Sequence, residues 1–293
     1  MPDAGKTNHH NADDAIRVFR DAARLNREDP FLKGSTIHLP AYGQVVMTGD
    51  LHGHEKNFDK LQRFAMLDRT PARHVILHEM VHTDLVARSD VDNSHDLLLK
   101  AAAYKRDFPD QVHFLQSNHE LAQLTGYLIA KNGRVVIEEF NIAVEEAYGK
   151  SRYADVLSAI NEFIGSFPIA VRTPNRVWMS HSLPNAHDMD EFDLGLFKRE
   201  LTSHDHQSNR TLFSLVWGRR HTQEQIDALA AELDVDTFIV GHQPQEMGFT
   251  RCFGRMIILA SNHNHGTFLP FDLSKPRSAD DLVASIRKFV EVM

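Results

Sequence analysis

The chain has 293 residues, 42% of them hydrophobic and 25% charged, with 15 Gly and 11 Pro; this is a globular composition with material for a large core, and it excludes disordered or collagen-like character. Forty acidic against 32 basic residues give a formal charge of −8, so no overall field draws the chain to nucleic acid or anionic lipid. A single cysteine, Cys252, excludes internal disulfides and thiolate cages, and the 19 histidines turn attention to metal sites built from nitrogen and oxygen.

Met1 to Asp14 is polar, includes His9 and His10, and lacks the apolar core of a secretory signal. No later run approaches the roughly 18 apolar residues of a membrane span, so a cytoplasmic protein without membrane or nucleic-acid partners is expected. Ala15, Ile16, Val18, Phe19, Ala22 and Ala23 recur at helical spacing as far as Leu25, and Pro30 and Gly34 then break the pattern. Residues 1–40 therefore read as a leader and helix packed on a body, 41–293, that forms one domain.

From there one theme repeats. A short β-branched run ends in a polar cluster, and a helical stretch follows. Val45-Val46-Met47 leads to Asp50 and His52, Val75-Ile76-Leu77 to His78-Glu79, and Val112 to Leu115 leads to Asn118-His119-Glu120. Val177-Trp178-Met179 leads to Ser180-His181, and Phe238-Ile239-Val240 to Gly241-His242. Buried strands alternating with helices predict an α/β fold, in which ligands bind at the carboxyl ends of strands. Asn141 to Phe167 reads as one or two helices, and Ala186 to Arg210, with His204 and His206, as a polar excursion.

Five successive strand ends thus deliver Asp50, His52, Glu79, Asn118, His119, His181 and His242. Two divalent ions about 3.5–4 Å apart require a carboxylate that bridges them and hard oxygen or imidazole ligands on either side. This set supplies both. One aspartate in a loop has an ordinary explanation, whereas five consecutive strand ends with metal-competent donors do not.

The blocks Gly49-Asp50-Leu51-His52-Gly53, Ser117-Asn118-His119-Glu120, Ser180-His181 and Gly241-His242-Gln243-Pro244, in that order, resemble the signatures of calcineurin-like metallophosphoesterases, particularly the phosphoprotein-phosphatase branch. The resemblance spans about Val45 to Asn262. It implies a four-layer α/β/β/α sandwich with two mixed sheets, and two divalent ions (Mn, Fe or Zn). Asp50 and His52 would bind the first ion, Glu79 would bridge, and Asn118, His181 and His242 would bind the second. His119 would be the general acid for the leaving alkoxide. The implied reaction is hydrolysis of a phosphoester, in a phosphoprotein or a nucleotide-type substrate, by attack of a metal-bound hydroxide.

The family's second block, Gly-Asp-x-x-Asp-Arg-Gly, is replaced here by His78-Glu79-Met80-Val81-His82-Thr83-Asp84. The bridging Asp becomes Glu79, the residue that orients the acid becomes His82, and the phosphate-binding Arg becomes Thr83. Orientation of His119 then falls to Asp84 or His82, and the phosphate grip to Arg219 and Arg220 after Trp217. These departures keep open a weakened relative that binds metal or a phosphorylated ligand without turnover.

The same segment also matches H-E-x-x-H, in which two histidines one helical turn apart hold Zn²⁺ and the Glu activates water in metalloproteases. That reading requires a helix from His78 to His82 and leaves the other four clusters unexplained. The phosphoesterase reading leaves only His78 and His82 without a role. His54 and His263 are further candidates to approach substrate.

Overall fold

The computed structural model describes residues 11–293; His9, His10 and most of the polar leader lie outside them. The leading helix runs over Ala12–Arg27, because the Asn11 side chain caps the amides of Asp13 and Asp14 and acidic residues occupy the first turn. Its apolar stripe, Ala15, Val18, Phe19, Ala22 and Ala23, is fully or almost fully buried against the helices Ser94–Asp107 and Tyr153–Ile164.

Two sheets form the centre. One has five strands in the order Arg287–Lys288, Thr267–Asp272, Gln44–Thr48, Arg73–His78 and Val112–Leu115; its last three are mutually parallel and Thr267–Asp272 is antiparallel to them. The other has seven, in the order Leu32–Lys33, Thr36–His38, Ala170–Arg172, Val177–Met179, Thr237–Val240, Met256–Leu259 and Phe249–Cys252. Within it, Val177–Met179, Thr237–Val240 and Met256–Leu259 run parallel.

Alternating side chains separate the layers. Val45, Met47 and Ile76 from the first sheet meet Val177, Met179, Ile239 and Ile257 from the second in one buried cluster. Their neighbours Val46, Val75, Leu77 and Phe114 face the helices named above. Trp178, Phe238 and Val240 pack beneath the helices Arg210–Trp217 and Gln223–Leu233. The result is the expected α/β/β/α sandwich. Strands covered on both faces read as unbroken apolar runs, and for that reason the sequence exposes them clearly.

The stretch 141–167 forms two helices, Val136–Tyr148 and Tyr153–Ile164, the first starting five residues earlier than expected. The excursion 186–210 is built from short turns, Ala186–Glu191 and Leu194–Lys198, and the helix Ser203–Ser208. Among the described residues no helix is long and apolar enough to cross a membrane. A bridge between Asp50 and Ala260, with Ser261 N donating to Asp50 O at 3.1 Å, ties the ends of the two sheets together. The candidate site lies at that seam.

Candidate active site

Each donor leaves its strand and turns back at once. Asp50 follows Gln44–Thr48, Glu79 follows Arg73–His78, His181 follows Val177–Met179, and His242 follows Thr237–Val240. Asn118 and His119 open the helix Asn118–Thr125, whose N-cap is Ser117. His52, Glu79, His82 and His242 have positive φ, from 42° to 67°. Left-handed backbone at non-glycine residues costs about 1–2 kcal/mol each, and such strain gathers where side chains must be aimed.

Hydrogen bonds hold these turns. Leu51 N and His52 N donate to Glu79 O at 2.9 and 2.7 Å, and Gly53 N donates to Met80 O at 2.9 Å. From the other side, Met80 N donates to Glu120 Oε1 at 2.6 Å, and Ser117 Oγ donates to Glu120 Oε2. Burial pushes the Glu120 carboxyl up to about 7, opposed by these donors. Glu120 therefore braces the turn that carries Glu79, a role that the sequence does not announce.

The seven predicted donors converge. None of Asp50, His52, Glu79, Asn118, His119, His181 and His242 is more than 8% exposed. His181 Nε2 lies 2.7 Å from Asn118 Oδ1 and 3.1 Å from His242 Nδ1, and His242 Nδ1 lies 2.9 Å from Asn118 Oδ1. Glu79 reaches both sides, with Oε2 3.7 Å from His52 Nε2 and Oε1 3.7 Å from His181 Nε2 and 3.9 Å from His119 Nε2. Asp50 Oδ1 accepts from His242 N at 2.9 Å. Donor atoms of Asp50, His78 and His181, of His52, Glu79 and His119, and of Glu79, His181 and His242 form three triads, each within 4.8 Å.

This set fits divalent metal. Burial, then the charge of Asp50 and a hydrogen bond to it, push Glu79 well above the usual carboxylate range, since two buried carboxylates in contact repel unless a cation or proton lies between them. His181 and His119 are held well below the usual imidazole range, first by burial and then by neighbouring imidazoles. Neutral imidazole, the metal-binding form, is what remains.

A cavity of about 660 Å³ opens onto Asp50, His52, Glu79, His119 and His242 and is lined also by Asp84, Lys131, Arg219, Asn262 and His263. Arg219 reaches the site, its Nε donating to His242 Nε2 at 2.9 Å. Arg220 is exposed and does not line the cavity. His263 lies at the rim, while His54 caps the helix Glu55–Ala65 through Asn57 N. Lys131, on the small hairpin Ala130–Lys131 and Arg134–Val135, was missed in the sequence; its Nζ donates to Asp84 Oδ1 at 3.1 Å. Asp84 also accepts from Asn262 Nδ2 at 3.0 Å.

The H-E-x-x-H segment is not helical. His78 ends a strand, and Glu79 and His82 take left-handed backbone, so the two histidines do not stand one turn apart as the protease site needs. Nor do they lack partners. His78 Nδ1 lies 2.9 Å from His181 Nδ1, and His82 Nδ1 lies 2.9 Å from His119 Nδ1. His82 Nε2 faces Gln123 Oε1 at 2.9 Å, and Gln123 Nε2 donates to Asn141. His82, rather than Asp84, is the group behind His119.

A family model of calcineurin-like phosphoesterases matches residues 43–246. No curated protein matches the chain by sequence. A protein serine/threonine phosphatase from Saccharomyces cerevisiae with similarity to human phosphatase PP5 superposes with a TM-score of 0.67 at 15% identity, over 88% of this chain and 82% of its own. The cold-active protein-tyrosine phosphatase of a psychrophilic Shewanella species superposes with a TM-score of 0.57 at 17% identity, over 86% and 80%. With the family model covering more than half of the chain, strands of both sheets and every strand-end donor, the chain belongs to the calcineurin-like phosphoesterases.

Proposed function

We propose that the chain is a dinuclear metal-dependent phosphoesterase that hydrolyses a phosphomonoester, with a phosphorylated protein side chain as the preferred substrate class and a nucleotide-type ester as the alternative. One observation carries the reading: six buried donors from five strand ends converge, and four of them, Asp50, His52, Glu79 and His242, line a single open cavity. Asp50, His52 and Glu79 would hold one ion, and Glu79, Asn118, His181 and His242 the other; N/O donors of this kind take Mn, Fe or Zn. When bound, such ions neutralise phosphate oxygens and lower the pKa of water toward neutrality.

The protein residues divide the remaining work. Arg219 and Lys131 line the same cavity and supply the cations for the phosphoryl oxygens, a task that Thr83 is unable to perform. His119, with Nε2 toward Glu79 and Nδ1 against His82, carries the proton for the leaving oxygen. Protein phosphate is favoured because the two superposed phosphatases act on protein, as their names state. Hydrolysis of an aryl phosphate with added Mn²⁺ tests the reaction. Turnover is expected in the wild type and a drop on the order of 10³-fold in Asp50→Asn, the equivalent of losing several kcal/mol of metal stabilisation. Wild-type protein that holds metal without turning over would instead mark a binding relative.

A further inference from the structure

His78 stands where the family's second block has glycine, and neither the metal set nor the general acid uses it. It has no exposed surface. Its Nε2 lies 2.9 Å from the Thr48 carbonyl oxygen, which is able only to accept, so Nε2 carries a proton. An imidazolium here would forgo its hydration completely, so the neutral ring presents a bare lone pair at Nδ1. His181 Nδ1 lies 2.9 Å from that lone pair; the proton between the rings therefore belongs to His181. Asp50 Oδ1, 3.8 Å from His181 Nδ1, is too distant to take the bond instead. With its proton fixed on Nδ1, His181 turns an unprotonated Nε2 toward Asn118 Oδ1 at 2.7 Å, and toward His242 and Glu79; two lone pairs at that distance repel unless a cation lies between them, so this tautomer is the one that metal loading requires.

The backbone makes room for this ring. A Cβ on Gly241 would stand 2.5 Å from His78 Cε1 and 2.2 Å from Asp50 Oδ1, so the glycine before His242 is the clearance that lets His78 lie behind the site.

We propose that His78 is a positioning residue that transmits the Thr48 carbonyl's demand for a proton through two imidazoles, locking His181 in the tautomer that leaves Nε2 free to bind metal. The proposal rests on His181 serving as a metal ligand. A ligating histidine almost always has such a partner on its other nitrogen, and removing that partner typically costs about 10–100-fold in metal affinity.

Two conservative variants separate this role from packing. An Asn amide overlays the Nδ1 side of imidazole and an Gln amide the Nε2 side. His78→Asn keeps an acceptor for His181, whereas His78→Gln withdraws it. In Mn²⁺ titrations followed by calorimetry, His78→Gln is expected to bind about 10–100-fold more weakly than wild type, with His78→Asn within about threefold. Equal losses in both variants, or no loss in either, would overturn the proposal. Long-range ¹⁵N–¹H spectra of Zn²⁺-loaded wild type decide the tautomer without any variant: a proton on His181 Nδ1 supports the proposal and a proton on Nε2 refutes it. That spectrum stands even if the wild type fails to hydrolyse phosphoesters, so failure of the enzyme assignment and failure of this one are distinguishable.

Discussion

Asn118, His181 and His242 come from three separate strand ends, yet their donor atoms lie within 3.1 Å of one another, and each is the residue type that the family pattern requires. The turn from His78 to Asp84, which forms the facing wall, departs from that pattern at its bridging carboxylate, at the group behind the acid and at the phosphate cation. One wall is kept and the other rebuilt. The difference follows the chemistry: a ligand cluster tolerates no change in donor atoms, whereas a cation for phosphate or a partner for an acid is replaceable from any element that reaches the same place. On the proposed function, Lys131, which lines the cavity from its hairpin, would answer for the arginine lost at Thr83, and His82, 2.9 Å from His119, for the aspartate.

If that substitution of parts is correct, the rebuilt wall breaks at predictable points. Lys131→Ala removes one charged hydrogen bond to the phosphoryl group, which is worth about 1.5–3 kcal/mol. It should raise the KM for an aryl phosphate by about 10–100-fold with metal content unchanged, and Lys131→Arg should recover most of the loss. An unchanged KM would return the grip to Arg219 alone.

The acid partner makes a smaller and more specific difference. Burial, then the nearby imidazoles of His52 and His82, depress His119, so it gives up its proton at lower pH than an ordinary imidazole and the alkaline limb of the rate profile is drawn downward. A carboxylate against Nδ1 favours the charged ring and raises its pKa. His82→Asp should therefore move that limb upward by about one unit or more, read from kcat/KM against pH. A limb that stays in place or moves down would show that His119 is not the acid.

The same contrast explains what was legible in the sequence. The retained wall was readable because each donor directly follows a buried apolar run, so the strand pattern and the ligand pattern reinforce each other at Asp50, Asn118, His181 and His242. The rebuilt wall was not. His78 and His82 read as bystanders or as a zinc motif, because their hydrogen bonds run to residues 103 and 37 positions away in sequence. The left-handed turns at Glu79 and His82, which destroy the helical register of that motif, are fixed by amides bonded to Glu120. Lys131 carries no signal at all, being one lysine in a short polar hairpin that only the folded chain brings to the cavity. Arg220, chosen for its place beside Arg219, is exposed and does not line the cavity that Arg219 reaches.

The central claim is that Glu79, one methylene longer than the family's aspartate, still serves both ligand clusters. Metal stoichiometry tests it most directly. Elemental analysis of protein purified without chelators and reloaded with Mn²⁺ is expected to give two ions per chain in the wild type and fewer than two in Glu79→Gln. A single ion in the wild type, or two ions retained in Glu79→Gln, would contradict it.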